Sequence, residues 1–384
     1  MFIKYKYKQY KAYNTMNPAI SQISEEGGIY RFTLSGINLS FANALRRTLL
    51  SEIPITVVET DTHETNKCTI HVNTGRLHNE IIKHRLSCIP IHIKELDLLP
   101  GKYVLELNVT NESDNMMFVT TEHFRIRNKE TQNYLTKEQT REIFPPHPKT
   151  QSYIDFARLR PKIGEGIPGE QLSLTAEFSI ATAKMNSMYN VVSNCAYGNT
   201  PDQAKIAQVW EEQEAKLRSE NTSKEDIEFQ KRNFYLLDAQ RQFIPDSYDY
   251  LLQTIGIYTN RELVQKACAV LQNKFIDMIQ ALDSDVVPIF NSETTIDHCY
   301  DVLLENEDYT VGKVLEYILY ETHYMGDKTL SFCGFKKFHP HNPSATVRLA
   351  FDKKSDKHLV KQYLREACVE SQDVFKRIYV MFAK

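Results

Sequence analysis

The sequence predicts an α+β protein in which two copies of one strand-helix module pair about a pseudo-two-fold axis within the chain, the first copy carrying an inserted α+β domain. Three observations predict this. Tyr30 to Leu50 and Tyr300 to Tyr320 match without a gap at an offset of 270 positions. Each matched stretch opens with period-two alternation and continues at helical spacing. Each copy closes on a long amphipathic pattern, the first opened by the capping box Thr259-Asn260-Arg261-Glu262. The length of 384 residues accommodates two or three domains at roughly 150 residues each.

In chain order, Met1 to Tyr13 is a basic arm in which Lys4, Lys6, Lys8 and Lys11 interleave with Tyr5, Tyr7 and Tyr10. It has no apolar run or small-residue cleavage site, so it is not read as a signal peptide. It reads as a tail or edge strand, or as a phosphate- and base-contacting arm. Tyr30, Phe32 and Leu34 alternate with polar residues as a strand, as do Tyr300, Val302 and Leu304 in the second copy. Ser40 and Thr310 are the expected N-caps. Beyond them Phe41, Ala44, Leu45, Thr48 and Leu49, and Val311, Val314, Leu315, Ile318 and Leu319, form one helical stripe per copy. Two copies of one patch can pack on each other as isologous dimers do.

Pro54 ends the first helix, and an inserted domain is expected over 58–169, with a helix near Leu77 to Leu86 and strands near Tyr103 to Val109 and Met116 to Thr120. Leu172, Leu174, Ala176, Phe178 and Ile180 alternate as the first copy's next strand, matched by Val347, Leu349 and Phe351 in the second. Residues 199–233, rich in Glu, Lys and Gln and holding Trp210, read as a helical surface excursion. The resulting domains are 1–19, the arm; 20–57 with 170–285, the first module; 58–169, the insertion; and 286–384, the second, smaller module.

Composition and motifs exclude several functions. Lys and Arg number 46 against 49 Asp and Glu, for a net charge of −3, and 42% of residues are hydrophobic; this is neither a disordered chain nor a general nucleic-acid coat. Seven dispersed cysteines without a C-x-x-C pair read as reduced thiols inside a cell. No apolar stretch approaches the roughly 20 residues of a membrane-spanning helix. His78 and His84 lie six apart, on different helix faces, so they do not form a zincin pair. Cys68, His71, Cys88 and His92 have finger-like spacing, but in a strand Cys68 and His71 point to opposite faces. His339-Pro340-His341 reads as a turn. Glu25-Glu26 and Glu211-Glu212 read as solvated faces. No phosphate-binding glycine loop or nucleophile elbow occurs. Arg46 and Arg47 flank the first stripe where the second copy has Glu316 and Tyr317, which suggests either a solvated pair or a third partner that binds one copy only.

Asn43-Ala44-Leu45-Arg46-Arg47-Thr48-Leu49-Leu50-Ser51-Glu52-Ile53-Pro54 resembles the first helix of the alpha-like assembly subunits of multisubunit DNA-directed RNA polymerase. His78 to Ile91, with Glu80, His84-Arg85-Leu86 and Ile89-Pro90, is similar to that family's inserted-domain helix. Gly169-Glu170-Gln171-Leu172 and Ala183-Lys184-Met185-Asn186 are similar to its return into the dimerisation domain. Asn306 to Leu315 and Phe332-Cys333-Gly334-Phe335 resemble the smaller partner subunit. The resemblance implies two alpha-subunit-like dimerisation modules fused in one chain, similar to the arrangement in large nucleocytoplasmic DNA viruses, with virion and host cytoplasm, or alternatively nucleus, as compartments.

The resemblance also implies an assembly platform with no catalytic, cofactor-binding or metal-binding residue. Its partners would be the two largest polymerase subunits and small assembly subunits, with DNA and RNA met only through the complex and no membrane. By resemblance Phe41, Leu45, Leu49, Val311, Leu315 and Leu319 form the intramolecular dimer interface, and Arg46, Arg47, Glu80, His84 and Arg85 contact the large subunits. Ser87-Cys88 and Tyr309 depart from the family pattern, and the cysteine cluster that binds zinc in some relatives is missing, so zinc is not carried over. A free-standing nucleic-acid binder resting on the arm, or a zinc protein resting on Cys68, His71, Cys88 and His92, remains as an alternative.

Overall fold

Hydrogen bonding along the chain, in a computed structural model that describes residues 16–164 and 166–383, gives sixteen strands and eight α-helices among those residues. The first stretch is β1 (Ala19–Glu26), β2 (Ile29–Ser35), α1 (Leu39–Ser51), β3 (Ile55–Val57), β4 (Cys68–Asn73), α2 (Asn79–Ser87), β5 (Tyr103–Thr110), β6 (Met117–Thr120) and β7 (Arg125–Asn128). Then come α3 (Lys137–Ile143), β8 (Asp155–Leu159), β9 (Gln171–Glu177), β10 (Ser179–Ala181), β11 (Val192–Pro201), α4 (Gln203–Ser219) and α5 (Lys224–Leu236). The rest is β12 (Phe243–Thr254), α6 (Asn260–Asp283), β13 (Ile289–Asn291), β14 (Cys299–Leu304), α7 (Tyr309–Leu319), β15 (Leu330–Lys336), β16 (Ala345–Phe351) and α8 (Lys357–Phe382). The basic arm falls largely on residues 1–15, outside the described residues.

Two compact units result. One comprises the described residues of Met1–Thr48, Asn194–Gln253 and Val264–Lys384; the other comprises Leu49–Ser193 and Thr254–Leu263. The first unit contains two four-stranded sheets of matching order, β1-β2-β12-β11 and β13-β14-β16-β15. Their central pairs share one register. Tyr30 faces Leu252 and Phe32 faces Tyr250 in the first; Tyr300 faces Leu349 and Val302 faces Val347 in the second. The offset of 270 thus holds for β2 and β14, while β12 and β16 follow a second offset of 97. The caps Thr259 and Asp356 of the closing helices α6 and α8 keep that second offset.

This pairing corrects one sequence expectation. The alternating strand at 172–180 is not the counterpart of Val347–Phe351; β9 lies between β4 and β5 in the other unit's sheet, and β12 takes the place facing β2. Alternation fixes which faces of a strand are apolar but not which neighbour it takes. The caps are also corrected. Asn38 Oδ1 accepts from Ser40 N at 2.9 Å and Asp308 Oδ1 accepts from Thr310 N at 2.8 Å, so each helix is capped two residues earlier than expected, again 270 apart. The segment 199–233 folds into α4 and α5, joined by Ile206, Trp210, Phe234 and Ala239 in a small core of its own.

In the second unit the sheet β4-β9-β5-β7 contributes Leu105, Leu107, Ile126, Leu172 and Leu174 to one apolar cluster with Ile82 and Leu86 of α2. Gly312, on α7, is required by packing: a Cβ there would lie 1.9 Å from Phe335 Cε2. The first copy has Ala42 at the equivalent position.

Candidate assembly interface

Both predicted stripes are interior. Phe41, Leu45, Leu49, Val311, Leu315 and Leu319 are each wholly buried. The hydrogen bonds and ring contacts fix how the helices meet. Phe41, near the start of α1, packs edge-on against Tyr317, near the end of α7, with ring centroids 6.4 Å apart. Arg47, near the end of α1, reaches the start of α7: its Nη2 donates to Asp308 Oδ2 at 2.6 Å and its Nε to Thr310 Oγ1 at 2.9 Å. The two helices therefore run antiparallel. The offset of 270 carries position 47 onto 317 and position 41 onto 311, the residue after Thr310, so the two contacts lie close to equivalent places.

The closing helices repeat the geometry. Phe275 and Phe375 stack with centroids 6.1 Å apart, Arg365 pairs with Asp283 at 3.1 Å, and Lys361 pairs with Asp285, so α6 and α8 are also antiparallel. Phe375 further meets Phe41 at 5.2 Å, tying the α1 ring into the α6–α8 pair. Phe382, at the end of α8, packs edge-on against Phe32 of β2 at 5.1 Å. Lys274 of α6 pairs with Glu307, just before α7, at 3.2 Å.

The expected large-subunit contacts divide. Arg46 is half-buried, and its guanidinium binds Asn43 Oδ1 of its own helix; burial pushes the neighbouring Cys195 thiol up to about 12, against the pull of the Arg46 charge. Arg47, expected from the sequence to be solvated or to meet a third partner, has its charge matched within the chain by Asp308. Arg85 is likewise engaged, donating to the main-chain oxygens of Phe156 at 2.8 Å and Asp155 at 2.7 Å. Glu80 and His84 are exposed and line a cleft of about 430 Å³ with Asp61, His63, Asn66 and Lys83. Sequence reasoning missed Asp308 as a partner; its signal, a carboxylate at the cap position, was present, but the arginine it binds lies 261 positions away.

Removing Arg47 should therefore cost stability. Arg47→Ala is expected to lower unfolding free energy by about 1 kcal/mol, since a charge-assisted bond is worth more than this but the pair is partly solvated. Arg46→Ala should cost less, and urea midpoints measured side by side check the order.

Cys68 is buried and His71 is exposed on a bulged stretch of β4, bonded to Thr175 Oγ1 at 3.0 Å. Among the described residues no three His, Cys, Asp or Glu side chains gather closely enough to hold a metal ion. His339 and His341 lie in the turn between β15 and β16, with rings 5.1 Å apart. No helix of the described residues is long and apolar enough to cross a membrane.

Comparison with known proteins gives these contacts a context. Residues 31–275 match the family described as the RNA polymerase Rpb3/Rpb11 dimerisation domain. The chain is 36% identical over 93 residues to the DNA-directed RNA polymerase subunit Rpo3 of Pyrococcus furiosus, covering 23% of this chain and 33% of that protein. It is 43% identical over 61 residues to the human DNA-directed RNA polymerases I and III subunit RPAC1, 16% of each chain. With the DNA-directed RNA polymerase II subunit RPB3 of Schizosaccharomyces pombe it shares 23% identity over 266 residues, 66% of this chain and 84% of that one. The match thus spans a third of the Rpo3 relative.

Proposed function

Because the chain belongs to the RNA polymerase Rpb3/Rpb11 dimerisation-domain family, we propose that it is a non-catalytic assembly subunit of a multisubunit DNA-directed RNA polymerase that carries both halves of the dimer in one polypeptide. The observation that carries this reading is the reciprocal α1–α7 contact, Phe41 with Tyr317 at one end and Arg47 with Asp308 at the other. Phe41, Leu45, Leu49, Val311, Leu315 and Leu319 form the apolar seam of that pseudo-two-fold dimer, and residues 58–169 are the insertion in its first module. The two sheets of equal order and register support the duplication.

The outward surfaces then dock the two largest subunits, which hold the chemistry, together with small assembly subunits; nucleic acid is met through the complex. Glu80 and His84, exposed and lining a polar cleft, are the contacts that remain free of the chain's own packing, and Arg46 is a further contact in the proposal. Arg47 and Arg85 act first in holding the chain together. The same proposal includes the resemblance to large nucleocytoplasmic DNA viruses, with virion and host cytoplasm as compartments.

Capture of the tagged chain from producing cells tests the role. The two largest polymerase subunits are expected to accompany the wild-type chain. Glu80→Ala with His84→Ala should reduce their recovery several-fold while leaving the thermal midpoint within about a degree, because exposed polar groups contribute little to stability. Recovery without any polymerase subunit, or template-directed nucleotide incorporation by the pure chain, contradicts the proposal.

A further inference from the structure

Asn38 and Asp308 hold equivalent places in the two copies and cap their helices in the same way, each through Oδ1 to the main-chain N–H two residues on. What each side chain presents beyond the cap differs. Asp308 offers Oδ2, an acceptor, and Arg47 takes it at 2.6 Å while also donating to Thr310 Oγ1. Asn38 offers the Nδ2 amide, which only donates.

We propose that this difference is a specificity determinant: the Arg47–Asp308 ion pair directs the first module to the second module and away from the first module of another chain. The inference rests on the pseudo-two-fold reading of the proposed function. Under that symmetry a first-with-first pair sets each Arg47 against Asn38 and Ser40, placing two donors face to face without a carboxylate, once at each end of the helix pair. A second-with-second pair sets Tyr317 against Asp308 and leaves the carboxylate without its cation. Only the mixed pair matches guanidinium to carboxylate. Specificity is a difference between affinities, and a mismatched donor in the wrong pairing contributes to it as much as the bond in the right one.

An ion pair of this kind, with side chains 34% and 20% exposed, adds modestly to stability and can also choose between pairings. Both stripes are largely apolar, with Phe41 and Thr48 standing where the second copy has Val311 and Ile318. Covalent linkage favours the mixed pair through effective concentration, but it acts equally on every variant below and so cancels from the comparison.

The test moves the carboxylate without uncapping either helix, since Asp and Asn are comparable N-caps. Wild type, Asn38→Asp, Asp308→Asn and the swap Asn38→Asp/Asp308→Asn are each co-produced as full-length chains bearing two different tags, and capture of one tag by the other is quantified at micromolar concentration. Wild type is expected to cross-capture at background, and Asn38→Asp, which relieves the donor mismatch but keeps Asp308, between wild type and the swap. The swap, which places a carboxylate opposite Arg47 only in first-with-first pairs, is expected to cross-capture on the order of tenfold more than wild type, as close charge pairs at interfaces do. Cross-capture by the swap at the wild-type level overturns the proposal. If the swap cannot be produced folded, Asp308→Asn alone decides, with a rise over wild type expected and no rise overturning it. Strong cross-capture by wild type itself would instead overturn the within-chain pairing, so the two failures are separable.

Discussion

Leu315→Asp is expected to release α1 and α7 together. Leu315 is wholly buried, as are Val311, Val314 and Leu319 on its helix and Phe41 and Leu45 on α1. A carboxylate at that point has no cation to meet and no water to solvate it; the cost is several kcal/mol, a large share of what holds a domain of this size. Because α7 meets α1 at both ends, through Tyr317 with Phe41 and through Asp308 with Arg47, loosening one helix removes the cover of the other. Amide hydrogen exchange should therefore show lost protection in both helices. Leu315→Ala provides a milder version, at about 2–5 kcal/mol, for use if the aspartate variant does not accumulate. Loss confined to α7, with α1 protected as in wild type, would show that the two stripes do not cover each other.

Phe375→Ala should be the second large effect. The ring is wholly buried, 5.2 Å from Phe41 and 6.1 Å from Phe275, so it joins α8 to α1 and α6. Its removal leaves a cavity among aromatic neighbours and is expected to cost about 3–5 kcal/mol, read as a lower urea midpoint at unchanged slope. Combined with Phe41→Ala the costs should not add, since the second truncation enlarges a cavity the first has already opened. Simple additivity would mean that the two rings do not share one site.

How much of this the sequence discloses depends on distance along the chain. The repeat and both stripes are local patterns, and Phe41, Leu45, Val311 and Leu315 are readable as interior from spacing alone. The caps lie two residues before the expected ones because Asn38 and Ser40, like Asp308 and Thr310, are both competent cap types, and only the hydrogen bond decides. β12 carried a usable signal, Tyr248, Tyr250 and Leu252 buried in alternation; Pro245 and Asp246 interrupt its opening and hid it. The acceptors of Arg47 and Arg85 do not show in sequence: one is a carboxylate 261 positions away, the others are main-chain oxygens of β8. Glu80 and His84 were readable only through family resemblance, for nothing in their spacing distinguishes them from any solvated helix face.

The central claim, that the two modules are partners which hold each other without needing their covalent link, is tested most directly by cutting that link. A site-specific protease sequence inserted after Val286, in the exposed stretch between α6 and β13, allows the folded chain to be cleaved under native conditions. The account predicts that the two fragments elute as one species at the position of the uncut chain and separate only in denaturant. Fragments that part on cleavage, without denaturant, would contradict it.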